Sequence, residues 1–148
     1  MARQRTGGFT LVELVMVLVL IGVLAVFAVP RMLDLTAWRL RAFADTLQAE
    51  AASMQRRALA QRRPITASFS ANGVLFSDAS GTLSRLDCPA AASPCLAETG
   101  TRTATFNAAN SGRTTTSTGS ALQLSIGSGS ALRRLQLEVE TGLIRPAP

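Results

Sequence analysis

The stretch Gly8-Phe9-Thr10-Leu11-Val12-Glu13-Leu14 opens the most distinctive part of this 148-residue chain. Residues 1–8 are basic and poor in apolar side chains, and Glu13 is the only charge between Phe9 and Val29. A helix of that length rises about 30 Å, which is the hydrocarbon thickness of a bilayer. We therefore expect residues 9–29 to form a transmembrane helix.

The flanks of this apolar segment indicate its direction. Arg3 and Arg5 precede it and Arg31 follows it, a balance that favours a cytoplasmic N-terminus under the positive-inside rule. A secretory signal peptide cleaved after Ala28 has the same features, with residues 14–27 as its apolar region. Composition alone leaves both interpretations open.

Glu13 favours the first interpretation, because a carboxylate in a membrane segment needs a partner. Its insertion costs about 3 kcal/mol at mid-bilayer and less near the interface. If the chain is cut between Gly8 and Phe9, the new α-amine on Phe9 lies four residues from Glu13. The amine of a neighbouring subunit could then neutralise the carboxylate.

The quoted stretch closely resembles the class III leader of type IV prepilins and type II secretion pseudopilins. In that family a short basic leader ends in Gly, and prepilin peptidase cuts after it on the cytoplasmic side and methylates the new N-terminal residue, usually Phe. The resemblance implies that Gly8 is the last leader residue, Phe9 the N-methylated N-terminus and Glu13 the assembly glutamate. Pro30 falls where family members often carry a proline, and the resemblance covers residues 1 to 35 or so.

Residues 30–63 continue with a helical pattern of a different kind. Pro30 cannot donate a backbone hydrogen bond, so we expect a kink or a local break there. Apolar residues then recur at spacings of three, four or seven and form one stripe: Leu33, Leu40, Phe43, Leu47, Ala51, Met54 and Ala58. Arg41 and Asp45 lie off the stripe at i and i+4, where they can form an ion pair. Pro64 ends the helical pattern.

Residues 64–148 change to a period of two, which is typical of strands. Asn72-Gly73 predicts a tight hairpin turn, and residues 111–120, rich in Ser, Thr and Gly, predict a loop or a strand edge. The predicted strands lie at residues 65–69, 74–76, 103–106, 122–126, 132–139 and 143–144. The sequence thus predicts an α+β fold. Its long N-terminal α-helix has a transmembrane half and an amphipathic half, and it packs on a C-terminal antiparallel β-sheet head.

The charge composition excludes several classes of function. The net charge is +6, and all fifteen basic residues are Arg, with no Lys and no His. The chain therefore lacks a Ser-His or Cys-His nucleophile, a His-bearing metal site and a Schiff-base lysine. The head's carboxylates are Asp78, Asp87, Glu98, Glu138 and Glu140. Glu138 and Glu140 are expected on one strand face, but no pair demands chemistry. We expect no enzyme, no cofactor and no metal.

Cys88 and Cys95 are the two cysteines of the chain. Their spacing does not match a zinc pair, and no other Cys or His could complete one. If the head lies outside the cytoplasm, we expect a disulfide between them. The alternative is two free thiols.

Two short segments resemble a narrower subfamily, the H-type pseudopilins and FimT-type minor pilins. They are Gln61-Arg62-Arg63-Pro64-Ile65-Thr66 and residues 135–145. FimT-type minor pilins are implicated in DNA uptake through a C-terminal Gly-Arg-x-Arg, but here Leu143 replaces the first Arg. Arg133, Arg134 and Arg145 cluster near the C-terminus of the sequence, and they are the candidate DNA-binding residues. The alternative is a solvated surface, since no aromatic residues are interleaved for base stacking.

These observations predict a minor pilin or pseudopilin subunit. It would be a single-pass protein of the bacterial inner membrane, with a cytoplasmic N-terminus and a periplasmic head. Its partners would be prepilin peptidase and other pilin or pseudopilin subunits, in a type IV pilus or a type II secretion pseudopilus. The alternatives are a DNA-binding minor pilin in DNA uptake and an ordinary secreted protein. The predicted segments are the leader 1–8, the assembly helix 9–29, the amphipathic half 30–63 and the head 64–148.

Overall fold

The computed structural model describes residues 10–32, 35–97, 101–127 and 131–147. It divides into two units, Met1–Leu35 and Thr36–Pro148. The predicted leader, with Gly8 and Phe9, lies outside the described residues.

Helix α1 spans Leu11–Met32. The large apolar side chains from Leu11 to Leu24 are all exposed, between 43% and 78% of their surface. The helix does not break at Pro30, because α1 continues through it for two more residues, and the expected kink stays a prediction. The fixed φ of proline is close to the helical value, so the ring removes one hydrogen bond without ending the helix.

Among the described residues, no helix is both long enough and apolar enough to cross a membrane. The predicted transmembrane helix starts at Phe9, outside the described residues, and it stays a prediction.

Helix α2 spans Leu35–Gln61 and presents one buried stripe, formed by Leu40, Phe43, Ala44, Leu47, Ala51, Met54 and Ala58. This stripe confirms the predicted one within the described residues, with Ala44 added. Residues 33 and 34, between α1 and α2, lie outside the described residues. The predicted continuity of one long helix is therefore untested.

Helix α2 ends at Gln61, shortly before Pro64 as predicted. A specific backbone motif terminates it. Arg62 has a φ of +51°. Its N–H donates to the carbonyl of Leu59, and the N–H of Arg63 donates to the carbonyl of Ala58. These are the two hydrogen bonds of a Schellman motif, which satisfies carbonyls that would otherwise be unpaired at a helix end.

The first sheet of the head has five antiparallel strands in the order β3-β2-β1-β4-β5. Their bounds are Ile65–Ser70 (β1), Gly73–Asp78 (β2), Gly81–Asp87 (β3), Arg102–Phe106 (β4) and Thr115–Thr116 (β5). The turn between β1 and β2 lies at residues 71 and 72, and Gly73 already begins β2. A Cβ on Gly73 would lie 2.3 Å from the carbonyl oxygen of Leu86, so only glycine allows β3 to approach this closely.

The second sheet has three antiparallel strands in the order β6-β7-β8. Their bounds are Leu122–Ile126 (β6), Arg133–Leu137 (β7) and Ile144–Pro146 (β8). Both sheets and the buried stripe of α2 share one hydrophobic core. Its fully buried large side chains include Phe69, Phe76, Phe106, Leu47 and Leu124.

The α+β class and the antiparallel pairing are confirmed, and several details differ. The expected single sheet is two sheets, and strand β3 was not predicted. Strand β7 ends at Leu137, so Glu138 and Glu140 lie in the following turn and not on a strand face. Asp45 pairs with Arg133, at 3.4 Å between Oδ1 and Nη1, and not with Arg41 as the helical spacing suggested.

Candidate functional site

The N-terminus of α1 carries Glu13, the residue to which the sequence assigns assembly. The Oγ1 atom of Thr10 accepts a hydrogen bond from the backbone N–H of Glu13, at 3.3 Å. The carbonyl of Thr10 accepts the first helical bond, from the N–H of Leu14 at 3.2 Å. Thr10 is therefore the N-cap of α1, and Thr-x-x-Glu is the sequence of a capping box.

The role of Thr10 was missed at the level of the sequence, although the capping-box spacing could have shown it. Glu13 lies in the first turn of α1, where the positive end of the helix dipole favours a carboxylate. The same position thus suits two roles, the stabilisation of the helix start and the pairing with a cation from another chain. Both roles can be tested by substitution, because Thr10 contributes only to the first.

The two cysteines form the disulfide that the sequence predicted. The Cα atoms of Cys88 and Cys95 are 5.6 Å apart, within the usual range for a disulfide. Cys95 is buried in the core, and Cys88 packs at its edge.

The disulfide loop lies between the two sheets and is hydrogen-bonded to both. On the side of the first sheet, the N–H of Cys88 donates to the carbonyl of Asn72, and the N–H of Cys95 donates to the carbonyl of Ala71. On the side of the second sheet, the N–H of Gly127 donates to the carbonyl of Cys95 at 2.7 Å, and Leu96 forms a bridge with Ile126. The loop therefore joins the β1–β2 turn to strand β6.

The candidate DNA-binding arginines do not form one cluster. Successive residues of a strand point to opposite faces, and Arg133 shares the side of the buried Leu135, whereas Arg134 lies on the outer face. Arg145 is paired with Gln136, two residues from Arg134, so Arg134 and Arg145 share that outer face. Arg133 instead reaches Asp45 on α2.

The turn after β7 holds the two carboxylates that were expected on a strand. Glu138 lies 3.6 Å from Nη1 of Arg145 and accepts a hydrogen bond from the hydroxyl of Thr141. Glu140 pairs with Arg113. All four side chains are more than one third exposed, between 35% and 74%, so each pair contributes at most about 1 kcal/mol.

A shallow groove at the end of α2 is lined by Arg57, Gln61, Arg63, Asp78 and Ser80. The hydroxyl and the backbone N–H of Ser80 donate to Asp78 and hold the pKa of its carboxyl below the usual value of 3.8, and the positive charge of Arg57 acts in the same direction. This geometry closes the β2–β3 turn, and we assign the groove no further role.

Along the chain, an apolar helix with exposed side chains precedes a head with its own core. That order is typical of a protein that is anchored or assembled through its N-terminal helix. Residues 3–29 match the prokaryotic N-terminal methylation motif. The N-terminal segment is therefore similar to that of type IV prepilin-like proteins, and the matched range includes Gly8, Phe9 and Glu13.

The chain matches no curated protein and no solved structure significantly. The matched motif ends at Val29, before the head begins. The resemblance of the head to H-type pseudopilins and FimT-type minor pilins is therefore not supported by these comparisons.

Proposed function

We propose that this protein is a minor pilin or pseudopilin subunit. Prepilin peptidase cuts it between Gly8 and Phe9 and methylates Phe9, and the mature subunit is then incorporated into a filament. The observation that carries the proposal is the methylation motif at residues 3–29. The role is structural and not enzymatic, because the chemistry is performed on the chain at its processing site.

The proposal places residues 9–29 in the inner membrane before assembly and in the filament core afterwards, with the head in the periplasm. The absence of polar side chains from Leu14 to Val29 supports this. So does the exposure of the large apolar side chains of α1 from Leu11 to Leu24, since a contiguous apolar surface of this size marks a membrane or protein contact.

Within the filament, Glu13 neutralises the α-amine on Phe9 of a neighbouring subunit. A carboxylate without a partner among apolar helices carries a large desolvation penalty, and pairing it with one amine offsets that penalty only in the correct register. Glu13 therefore selects the position at which each subunit enters the filament.

The processing step is tested by the intact mass of the protein isolated from its host. The proposal predicts a chain that begins with N-methyl-Phe9, whereas a signal peptide cleaved after Ala28 gives a chain that begins at Val29. Gly8→Val should leave the precursor uncut, and the matched variant Gly7→Val should still be processed. A mature chain beginning at Val29 would exclude the proposal.

The assembly step is tested by two neighbouring substitutions. Glu13→Gln removes the charge that pairs with the amine, so we expect a processed, membrane-associated subunit that is almost absent from sheared filaments. Thr10→Val removes only the N-cap, which costs about 1 kcal/mol of helix stability, and should still be incorporated. If both variants are lost equally, Glu13 acts through the helix start and not through the neighbouring amine.

A second candidate function is DNA binding by the outer face of the second sheet. The observation that favours it is the common face of Arg134 and Arg145, with Arg102 donating to the carbonyl of Gln123 in β6. Phosphate-driven binding falls steeply with salt, so gel shifts of the full chain in detergent at two salt concentrations test it. Arg134→Gln with Arg145→Gln should weaken the shift more than Arg133→Gln, and equal effects would count against this face.

A further inference from the structure

Trp38 is the one tryptophan of the chain, and it is 65% exposed. The phenylalanines described in α2 and in the head are all buried: Phe43, Phe69, Phe76 and Phe106. An exposed indole leaves a large apolar area in water. Burying that area in a contact would contribute more free energy than a surface ion pair does. The indole is therefore available for a contact outside the subunit.

The helix itself sets the direction of Trp38. Trp38 lies two residues before the buried Leu40. At 3.6 residues per turn, this spacing puts Trp38 on the side of α2 opposite the core. The guanidinium carbon of Arg41 lies 5.7 Å from the centre of the indole ring, a cation–π distance. Arg39, the residue directly after Trp38, is also exposed.

The chemistry of this patch, Trp38 with Arg39 and Arg41, matches the headgroup region of a bilayer. An indole has an apolar body and one N–H donor, and tryptophan is enriched where hydrocarbon meets water. Guanidinium groups bind phosphates with paired hydrogen bonds. From Arg31 to Arg41 the sequence has three arginines and one acidic residue, Asp34, so the stretch is complementary to an anionic surface.

The position of the patch along the chain supports the same occupant. Trp38 follows the end of the apolar segment, Val29, by nine residues. Side chains on a helix lean towards its N-terminus, so the indole leans towards the first turn of α2. If residues 9–29 enter a membrane, the nine residues from Val29 to Trp38 keep the patch within about 30 Å of the bilayer, so headgroup phosphates are within its reach.

We propose that Trp38, Arg39 and Arg41 dock the N-terminal turns of α2 onto the headgroups of an anionic bilayer before assembly. The inference rests on the proposed membrane association of residues 9–29, and it requires association but no particular depth of crossing. Docking of this kind holds the unassembled subunit at the membrane surface by its own side chains. The alternative occupant, a neighbouring subunit, is distinguished by the experiment below.

Trp38 supplies its own probe, because no other tryptophan contributes to the fluorescence. The full chain is reconstituted into phosphatidylcholine vesicles with and without phosphatidylglycerol. A spin label attached to the lipid headgroup should quench Trp38 more strongly than a label near the end of the acyl chain, and phosphatidylglycerol should increase that quenching. Quenching by aqueous iodide should fall when phosphatidylglycerol is added.

Arg39→Gln with Arg41→Gln should lower the ratio of docked to undocked Trp38 roughly tenfold or more, at the contribution expected for an arginine near an anionic surface. Arg56→Gln with Arg57→Gln is the matched control, since it removes the same charge from exposed positions of the same helix and should leave the quenching unchanged.

Three results would overturn the inference. If the protein floats with the vesicles but Trp38 stays open to iodide and is not quenched by lipid labels, the docking is wrong and the membrane association stands. If the protein does not associate with vesicles, both fail. If Trp38 becomes protected only in assembled filaments, the patch contacts a neighbouring subunit and not lipid.

Discussion

Helices α1 and α2 show how the same secondary structure can depend on two different sources of stability. In α2 the apolar residues form a single stripe, and that stripe is buried against both sheets of the head. In α1 the apolar residues surround the helix, and those described from Leu11 to Leu24 are exposed. The stabilising contacts of α2 lie in its own unit of the chain, whereas the proposed function assigns those of α1 to lipid or to other subunits.

The apolar content of a sequence is therefore not a measure of its core. The chain is 47% hydrophobic, yet the described part of α1 contributes none of the residues in the buried cluster. Substitutions of equal size in the two helices should therefore affect different properties.

The largest contrast is expected between Leu47→Ala and Leu18→Ala. Leu47 is fully buried in α2 and Leu18 is 61% exposed in α1. Leu47→Ala should lower the free energy of unfolding of the head by about 2–5 kcal/mol, because it leaves a cavity. Leu18→Ala should change it by less than about 0.5 kcal/mol. Amide hydrogen exchange of β1 and β2 measures both, and equal losses would contradict the division of roles.

The disulfide should matter to the head alone. Cys88→Ser with Cys95→Ser removes a short closed loop, which should cost the head about 2–3 kcal/mol and leave the circular dichroism of α1 unchanged. Reduction of the unmodified protein provides the control, because it removes the same bond without a substitution. An unchanged denaturation midpoint in both samples would mean that the hydrogen bonds around the loop are sufficient to join the two sheets.

Glycine-to-alanine substitutions should have opposite signs in the two regions. Gly22 in α1 has no atom within 4 Å of an added Cβ, so Gly22→Ala should favour the helix by about 1 kcal/mol. Gly142 has a φ of +66°, and an added Cβ would lie 2.5 Å from Oγ1 of Thr114. Gly142→Ala should therefore destabilise the head by about 1–3 kcal/mol. Helicity in detergent and hydrogen exchange of the head measure the two effects.

The smallest effect is a dependence on pH that is confined to the β2–β3 turn. The pKa of Asp78 is lowered below 3.8 in the folded head, so its contribution is complete above that value and is lost as the pH falls through the folded pKa. The difference in unfolding free energy between the unmodified protein and Asp78→Asn should be constant near neutral pH and shrink in acid. Ser80→Ala should remove most of this pH dependence, because Ser80 supplies the donors.

The sequence predicted elements whose signal is local. The stripe from Leu40 to Ala58 has helical spacing and is buried as expected, and the alternation of Ile65, Ala67 and Phe69 gives β1. Strand β3 was missed because its residues are all exposed or half-buried, without a regular alternation. Strand β3 forms because its backbone pairs with the free edge of β2. The local sequence pattern of β3 contains no signal for this pairing.

Long-range pairing explains most of the other differences. The separation into two sheets depends on which strands meet, and Arg133 reaches Asp45 across 88 residues of sequence, which spacing along a helix cannot reveal. The candidate site was more predictable than the head. The processing motif is a contiguous segment, so its residues are recognised without any knowledge of the fold, and residues 3–29 match it.

The redox state of Cys88 and Cys95 also indicates which compartment the head is in. Disulfides form and persist outside the reducing cytoplasm, and Cys95 is almost inaccessible to solvent in the folded head. A head that stays in the cytoplasm should carry two thiols that react with a maleimide after denaturation, and a translocated head should carry none. A single gel-shift measurement on whole cells therefore tests the proposed delivery of the head across the membrane, without a fused tag.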